Sequence, residues 1–544
     1  MTSAPRHPPA PGAGSADLVL TGGTVLTMDA AGSRAQGVAV RGGRVVAVGT
    51  DSEMGAFVGP ATDVVDLEGR ALLPGLVDPH MHSSMVQLAD WVDLSQMTCP
   101  SADAVFTARR DAPTSPTGWV VAQQFDPSIT DGHPQLDRAV LDRLVPGRPL
   151  LVLESIGHIA YANSVALERA GVGRETPDPP AGRYARDPAR ELTGRLEESS
   201  AVLAFTPGMP MVTGSALADR IRDLTWRAAA EGVTLLHDCG IGSIDGASDL
   251  EVLQGVVGEG SPVRYRGMLV SSAYDVWSEM GLHPGFGDDL FRVDGIKAWS
   301  DGSNQAGTGF QREPYLGSDS RGSLNFSPAE LAETVSRAHH DGWQVGVHAN
   351  GDAAIDVTID AFAKALRTDP RADHRHRIEH CSVLRPEHIA AMVDLGLSPS
   401  FLIGHVRWWG TAFRDRLLGP ERAASTTRAP RRFGRACASR CTATGTSPPW
   451  SRCATSRTRS PRIMLESGDV LNGDERIPVE AALRAVTVDA AWQCGAESVT
   501  GSIEGGKYAD LVVLEEDPAA VDPMTIADIT VSQTRLAGEL RFPA

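Results

Sequence analysis

Two histidines separated by a single residue stand in the segment "LVDPHMH". His80 and His82 follow an apolar run, and side chains at positions i and i+2 of a strand point to the same side. Both imidazoles can therefore contact one ion, and imidazole is a preferred ligand of Zn²⁺. The spacing predicts part of a metal site.

Other ionisable residues stand at the ends of strand-like runs. "VGVHANGD" ends a run with His348, "HRIEHC" ends one with His380, and "GIKAWSDGS" places Lys297 inside an apolar run with Asp301 beyond it. A single buried histidine is usually a hydrogen-bonded core residue, whereas an inward lysine is rare because burying an ammonium is unfavourable. A carbamate formed from Lys297 and CO₂ would be an anionic ligand able to bridge two metal ions.

These residues need elements that bring them together. Strand-like runs alternate with segments such as "SPAELAETVSRAHHDG" and "PEHIAAMVDLG", which have helical spacing, Ser or Pro at the start and Gly at the end. Such alternation over several hundred residues favours a (β/α)8 barrel or a doubly wound sheet. In a barrel, the carboxyl ends of the strands converge, so four histidines from three strand ends could share one ion.

The two ends of the chain resemble each other and differ from the middle. "DLVLTGGTVLTMD" and "GSIEGGKYADLVVLEEDP" are short apolar runs broken by glycine turns, which is typical of small sheets. We expect a composite β-sandwich from residues 17–73 and 483–544 around a barrel from residues 74–482. Residues 1–16, rich in Pro, Ala and Gly, predict a disordered leader and lack the apolar centre of a signal peptide.

Composition narrows the functional class. The 544 residues carry a net charge of −18, which disfavours binding to nucleic acid or to an anionic membrane. No apolar run reaches the roughly 18 residues that a membrane helix needs. The seven cysteines have no regular spacing, so a disulfide framework is disfavoured. A soluble cytoplasmic protein is the expectation.

The chain resembles a known family. "LLPGLVDPHMH" is similar to the first-strand signature of the amidohydrolase superfamily of metal-dependent hydrolases. The motifs "GHIAYANSVAL", "GVTLLHDCG", "IKAWSDGS", "VHANGDAAI" and "RIEH" resemble its branch containing N-substituted formamide deformylase. The resemblance implies a distorted TIM barrel, a composite β-sandwich and one or two divalent metal ions, usually zinc. It also allows a homodimer.

The resemblance assigns roles by motif. It implies that His80 and His82 bind a first metal ion, that His348 and His380 bind a second, and that Lys297 stands where relatives carry a carboxylated bridging lysine. In the family mechanism the metal ion activates water and polarises the carbonyl, and an aspartate on the eighth strand moves the proton to the leaving amine.

Three further residues are candidates for the substrate pocket. These are His158 in "GHIAYANS", Asp301 and His405 in "FLIGH". For His158, a hydrogen bond at a helix start or in the core is an equally good explanation. We interpret His237 in "LLHDCG" as structural.

The stretch from Ser425 to Arg462 does not fit this pattern. It contains no Leu, Ile, Val, Met, Asp, Glu or Lys, although the eighth strand and its aspartate should fall there. The identity of the catalytic acid or base therefore stays open. A nucleic-acid-binding arm is disfavoured by the absence of interleaved aromatic residues. A zinc knuckle from Cys437, Cys441 and Cys453 lacks a suitably spaced fourth ligand, and a disordered linker would interrupt a closed barrel.

A shifted reading frame offers an explanation. When codons are rebuilt from the last base of one residue and the first two of the next, residues 440–444 permit Leu-His-Ser-Asp, the expected motif. We therefore interpret this stretch as a frameshift, which sequencing of the gene would test.

Two functions follow from the sequence. The first is a metal-dependent hydrolase of C–N bonds of the amide or N-formyl type, which uses a metal-activated water. The alternative is a catalytically impaired or non-catalytic protein that keeps the amidohydrolase fold without the eighth-strand aspartate.

Overall fold

The largest element is a barrel of parallel strands. The computed structural model describes residues 14–110, 115–428, 437–439 and 462–543. Each barrel strand pairs in parallel with the next one along the chain. In chain order, the first to eighth barrel strands are Leu76–Met81, Val233–Ile241, Arg264–Val270, Phe291–Trp299, Gln344–Ala349, Arg377–His380, Ser398–Leu402 and Cys437–Ser439. The predicted α/β barrel is confirmed.

Helices cover the outside of this barrel, which is why its strands are buried on both faces and read as continuous apolar runs. Pro328–His340 begins with a capping box between Ser327 and Glu330. Pro386–Leu395 ends at Gly396, whose φ of 68° only glycine adopts without strain. Both helices confirm the pattern of start and stop residues in the sequence.

The α-helices within the described residues vary from less than one turn to almost five turns. They are Asp51–Met54, Ala102–Arg110, Arg138–Leu144, Ser164–Arg169, Ser199–Leu203, Gly214–Ala230, Ala247–Val256, Tyr274–Glu279, Pro328–His340, Asp352–Thr368, Pro386–Leu395, Gly404–Arg407, Gly410–Ala412, Pro420–Ala424, Val479–Arg484 and Val488–Gln493. No helix in the part of the chain that the structure describes is long and apolar enough to cross a membrane.

The eighth barrel strand is short. Cys437–Ser439 pairs in parallel with the seventh strand, with Ser400 opposite Cys437. Residues 440–444, where the shifted frame permits Leu-His-Ser-Asp, lie outside the described residues. The frameshift hypothesis therefore stays a prediction.

Two sheets are formed by the ends of the chain. One contains Leu18–Thr21, Gly37–Arg41, Arg44–Gly49 and Asp63–Asp66; the other contains Thr24–Leu26, Arg34–Ala35, Ala71–Pro74, Leu511–Leu514, Val531–Leu536 and Glu539–Phe542. Ala71–Pro74 pairs antiparallel with Leu511–Leu514, so both ends of the chain share one sheet. Their side chains meet in one apolar core that includes Leu20, Val38 and Val513.

A further sheet interrupts the barrel between its first and second strands. It is formed by Val92–Asp93, Val120–Phe125, Leu150–Glu154, Ile159–Ala162, Arg183–Arg186 and Leu192–Glu197. The apolar run "PLLVLESIGH" contains Leu150–Glu154, which belongs to this inserted sheet and not to the barrel. A buried apolar run looks the same in either sheet, so periodicity alone could not separate them.

Candidate metal centre and active site

Four imidazoles meet at the carboxyl edge of the barrel. The ring centroid of His80 lies 5.1 Å from that of His82 and 4.9 Å from that of His380, and the His380 centroid lies 4.6 Å from that of His348. The first strand supplies His80, with His82 just beyond its end, while the fifth and sixth strands supply the other two. The structure thus brings together all four histidines that the sequence predicted as ligands.

The centre contains buried nitrogen atoms without partners. His80 Nε2, His380 Nδ1 and Lys297 Nζ have no hydrogen-bond partner among the described residues, and Lys297 is completely buried. A buried polar atom without a partner destabilises a fold by about 1–3 kcal/mol, so such atoms normally have a function. Imidazole nitrogens are donors that suit a divalent ion of the zinc type.

Burial keeps these groups uncharged. It lowers the pKa of His80, His348 and His380 well below the ordinary range, and nearby cationic groups lower each of them further. The pKa of His82 is lowered to about 3, chiefly by burial and then by Lys297. Neutral imidazole is the form that binds a metal ion.

Lys297 projects from the fourth strand into the same region. Burial lowers the pKa of its amine, which favours the neutral form that reacts with CO₂. Its Nζ lies 5.4 Å from the ring centroid of Trp299. The environment is therefore compatible with a carbamate.

A glycine leaves room for His82. Gly240 lies in the second strand, and a Cβ atom added there would lie 2.6 Å from His82 Nδ1. Real Cβ atoms essentially never approach another heavy atom so closely, so any larger residue at position 240 would displace the imidazole.

A buried ion pair lies behind the histidines. His80 Nδ1 lies 2.6 Å from Glu379 Oε2, and Arg377 Nε lies 2.5 Å from Glu379 Oε1. Burial would raise the pKa of Glu379, but Arg377 and Lys297 outweigh it, so the pKa is lowered. Both residues were missed from the sequence, although both stand in the "RIEH" motif.

Two more ionisable residues pack against this pair. His237 Nδ1 lies 3.0 Å from the carbonyl oxygen of Pro79, while its Nε2 has no partner among the described residues. Cys239 offers a sulfur that lies within 4.8 Å of one ligand atom each of His80 and Glu379. Burial raises the pKa of the Cys239 thiol, which keeps it protonated and a poor ligand.

The histidines open onto a cavity of about 220 Å³. His82, His158, His348, His380 and His405 all line it. Its remaining wall is rich in large apolar side chains, among them Met85, Met97, Ile129, Ile156, Trp299, Leu402, Trp408 and Trp409. Such a wall suits an apolar part of a small molecule.

His158 faces this cavity from the inserted sheet. Its ring centroid lies 5.0 Å from that of His348, and its Nδ1 lies 2.7 Å from Glu198 Oε2. Burial lowers the pKa of His158, but the carboxylate of Glu198 outweighs it, so the pKa is raised. Glu198 also packs tightly against Gly302, where no Cβ atom would fit. A second cavity, of about 850 Å³, is lined by Glu198 and not by His158.

The other two substrate-pocket candidates have different positions. His405 lines the cavity from a short helix after the seventh strand, and its Nδ1 lies 2.8 Å from Ser382 Oγ. Asp301 does not line the cavity, since its carboxylate accepts hydrogen bonds from the backbone N–H groups of Phe310, Asn350 and Gly351. Its Oδ1 also lies 3.7 Å from Nε2 of His348, and its role in substrate binding stays a prediction.

Asp126 is a cavity residue that the sequence did not reveal. It accepts hydrogen bonds from Trp409 Nε1 at 2.7 Å and from Ser155 Oγ at 3.1 Å. Burial raises the pKa of its carboxyl group. Asp126 directly follows the strand Val120–Phe125 of the inserted sheet, a sheet that was not recognised from the sequence.

Fold and site together define a hydrolase of the metal-dependent, TIM-barrel class. The chain belongs to the amidohydrolase family, whose profile matches residues 63–542. This confirms the resemblance inferred from the motifs.

Similar proteins support this class. N-substituted formamide deformylase of Arthrobacter pascens is 29% identical over 97% of this chain and 98% of its own length. A putative amidohydrolase of Bacillus subtilis, YtcJ, is 28% identical over 96% of this chain and 98% of its own. The fold is shared with a crystal structure of an uncharacterized metal-dependent hydrolase from Pyrococcus horikoshii, with a TM-score of 0.72, 21% identity and coverage of 93% of this chain and 99% of that one.

Proposed function

We propose that this protein hydrolyses C–N bonds of the amide or N-formyl type in a small molecule, with a divalent metal ion, most simply zinc, bound at the histidine centre. The observation that carries the proposal is the group of unpartnered buried nitrogen atoms of His80, His380 and Lys297. The similarity to an enzyme named N-substituted formamide deformylase supports the choice of bond.

The proposed ligands are His80, His82, His348 and His380, with carboxylated Lys297 as a bridging ligand if two ions bind. A divalent ion held there would act as a Lewis acid toward a carbonyl oxygen and would lower the pKa of water to about 7.

The chain's own residues would bind and orient the substrate. Glu198 holds His158 through Nδ1, and His158 lines the cavity, so it can contact a polar group of the substrate. His405 borders the same space, and the tryptophans at positions 299, 408 and 409 exclude water from the apolar part of the substrate. An apolar N-substituent fits this wall.

The second candidate function is a non-catalytic or impaired amidohydrolase-fold protein. It is favoured by one observation: residues 425–462 contain no aspartate, and the family's proton-moving aspartate is expected there. We therefore predict weak or no hydrolysis by the chain as written, and good hydrolysis after the reading frame is restored across this stretch.

The two functions are separated by measuring metal content and turnover together. Stoichiometric zinc with hydrolysis of members of a panel of N-formyl and N-acyl amines supports the hydrolase. Bound zinc without turnover of any member, before and after repair of the frame, supports the non-catalytic protein. Equal turnover before and after repair would show that the missing aspartate is not needed.

Four finer expectations accompany the proposal. The preference for zinc follows from the imidazole ligands, and the absence of nucleic-acid binding follows from the net charge of −18. A cytoplasmic location and a homodimer stay predictions, which fractionation and light scattering would test.

A further inference from the structure

The two ring nitrogens of His80 have different surroundings. Nδ1 lies 2.6 Å from Glu379 Oε2, whereas Nε2 is buried without a partner among the described residues. A neutral imidazole carries its hydrogen on one nitrogen only. The acceptor at Nδ1 therefore selects the tautomer that leaves the lone pair on Nε2.

The acceptor is itself held in place. Glu379 lies in the sixth strand and is completely buried, and its Oε1 accepts a hydrogen bond from Arg377 Nε at 2.5 Å. Arg377 Nη2 also donates to the carbonyl oxygen of Pro79, the residue next to His80, at 3.0 Å. The guanidinium thus ties the carboxylate to the strand that carries His80.

We propose that Glu379, held by Arg377, is the positioning residue of the metal centre: by accepting the Nδ1–H hydrogen bond of His80, it fixes the imidazole so that Nε2 is the atom that binds the ion. The inference rests on the proposed metal site. A carboxylate behind a ligating histidine orients the ring and raises its basicity.

A competing arrangement uses the same residues as ligands. His80, Cys239 and Glu379 each offer one ligand atom, and these atoms lie within 4.8 Å of one another. However, both oxygens of Glu379 already accept hydrogen bonds, and Arg377 Nη2 lies 3.1 Å from the Cys239 sulfur. A cation at this point would stand beside a guanidinium, which is electrostatically unfavourable.

The first test compares two buried carboxylates. Glu379→Gln removes the charge at the site, and Asp510→Asn is the matched control, because Asp510 is also buried and pairs with Arg264 at 2.7 Å away from the histidines. We expect Glu379→Gln to lower zinc affinity by about 10- to 100-fold, as measured by chelator competition. Asp510→Asn should leave zinc affinity unchanged. An equal effect of both variants, or no effect of Glu379→Gln, would overturn the proposal.

The second test needs no variant and no metal. In metal-free protein with ¹⁵N-labelled histidine, we expect His80 to carry its hydrogen on Nδ1; a hydrogen on Nε2 overturns the proposal even if Glu379→Gln does not fold. The position of the hydrogen on His80 is measured without zinc and without turnover. A negative result therefore contradicts the positioning role of Glu379 and not the proposed hydrolase function. A sulfur-to-metal charge-transfer band in cobalt-substituted protein would instead establish Cys239 as a ligand and also overturn the proposal.

Discussion

Two histidine clusters lie at opposite ends of the sixth barrel strand. Among the described residues, only the cluster at the carboxyl edge has imidazole nitrogens without a hydrogen-bond partner. His380 ends the strand at the candidate metal centre, while His376 directly precedes the strand at the other edge of the barrel. Four residues of extended chain separate them by about 13 Å. Both residues are buried, so burial alone does not distinguish their roles.

The cluster at the amino edge consists of His339, His374 and His376. His339 Nε2–H donates to the carbonyl oxygen of Asp369 at 2.6 Å, and its Nδ1 lies 2.8 Å from His376 Nε2. Val345 N–H donates to His376 Nδ1 at 3.0 Å.

His374 completes this chain of hydrogen bonds. Its Nδ1 accepts from the backbone N–H of His376 at 2.9 Å, and its Nε2 lies 3.0 Å from the carbonyl oxygen of Leu395. Every ring nitrogen of this cluster therefore has one hydrogen-bond partner.

The difference shows how a structural histidine and a ligand histidine can be told apart. In the amino-edge cluster every ring nitrogen takes part in a hydrogen bond, so no lone pair is available to a metal ion. At the carboxyl edge, His80 Nε2 and His380 Nδ1 have no partner among the described residues. A bound metal ion would therefore supply the missing partner only in the carboxyl-edge cluster.

The largest expected effect is loss of the metal ion. His380→Gln removes an unpartnered nitrogen, and zinc affinity should fall by more than the roughly 100-fold expected for a residue behind the ligands. Chelator competition measures it. The matched change His376→Gln should leave zinc affinity intact, and a His380→Gln protein that retains stoichiometric zinc would contradict the assignment.

Added zinc should stabilise the protein through the same cluster. At about 100 times the dissociation constant, a ligand that binds only the folded state contributes about 2.7 kcal/mol to the free energy of unfolding. Denaturant unfolding should show this gain in the parent protein and in His376→Gln. The gain should be small in His380→Gln, and an undiminished gain there would place the zinc elsewhere.

In the metal-free protein, the free energy of unfolding should rank the two variants in the opposite order, with His376→Gln the less stable. His376→Gln leaves the backbone N–H of Val345 or the ring of His339 without its partner, so we expect a loss of about 1–3 kcal/mol. Metal-free His380→Gln should lose less, because His380 Nδ1 has no partner to lose. Equal losses would mean that hydrogen bonding does not separate the clusters.

The smallest expected effect is a dependence of the free energy of unfolding on pH. Burial and the neighbouring His374 and His339 lower the pKa of His376 well below its ordinary 6.5, and burial also lowers that of His374. Below about pH 6.5 a histidine binds a proton in the unfolded state but not in the folded state. The free energy of unfolding is therefore highest above pH 6.5 and decreases as the pH falls. The slope is up to about 1.4 kcal/mol per pH unit for each histidine.

Comparing metal-free parent and His376→Gln isolates this contribution. The difference in unfolding free energy between the two proteins should shrink from pH 7 to pH 5. A constant difference would show that His376 titrates equally in the folded and unfolded states.

Much of the site was visible in the sequence because strand geometry is regular. The i, i+2 spacing of His80 and His82, and the position of His348 and His380 at the ends of apolar runs, were enough to predict that the four rings meet. Glu379 was missed because a carboxylate beside a predicted ligand has no spacing of its own. Asp126 and Glu198 were missed because the inserted sheet was not recognised.

The sequence by itself determined the alternation of strands and helices, the family and the residues able to bind a metal ion, since these depend on residue type and local periodicity. Only the tertiary structure decided which buried histidines have hydrogen-bond partners, which carboxylate stands behind His80 and which loop residues close the cavity. Those properties depend on contacts between segments far apart in the chain, and a local pattern contains no information about them.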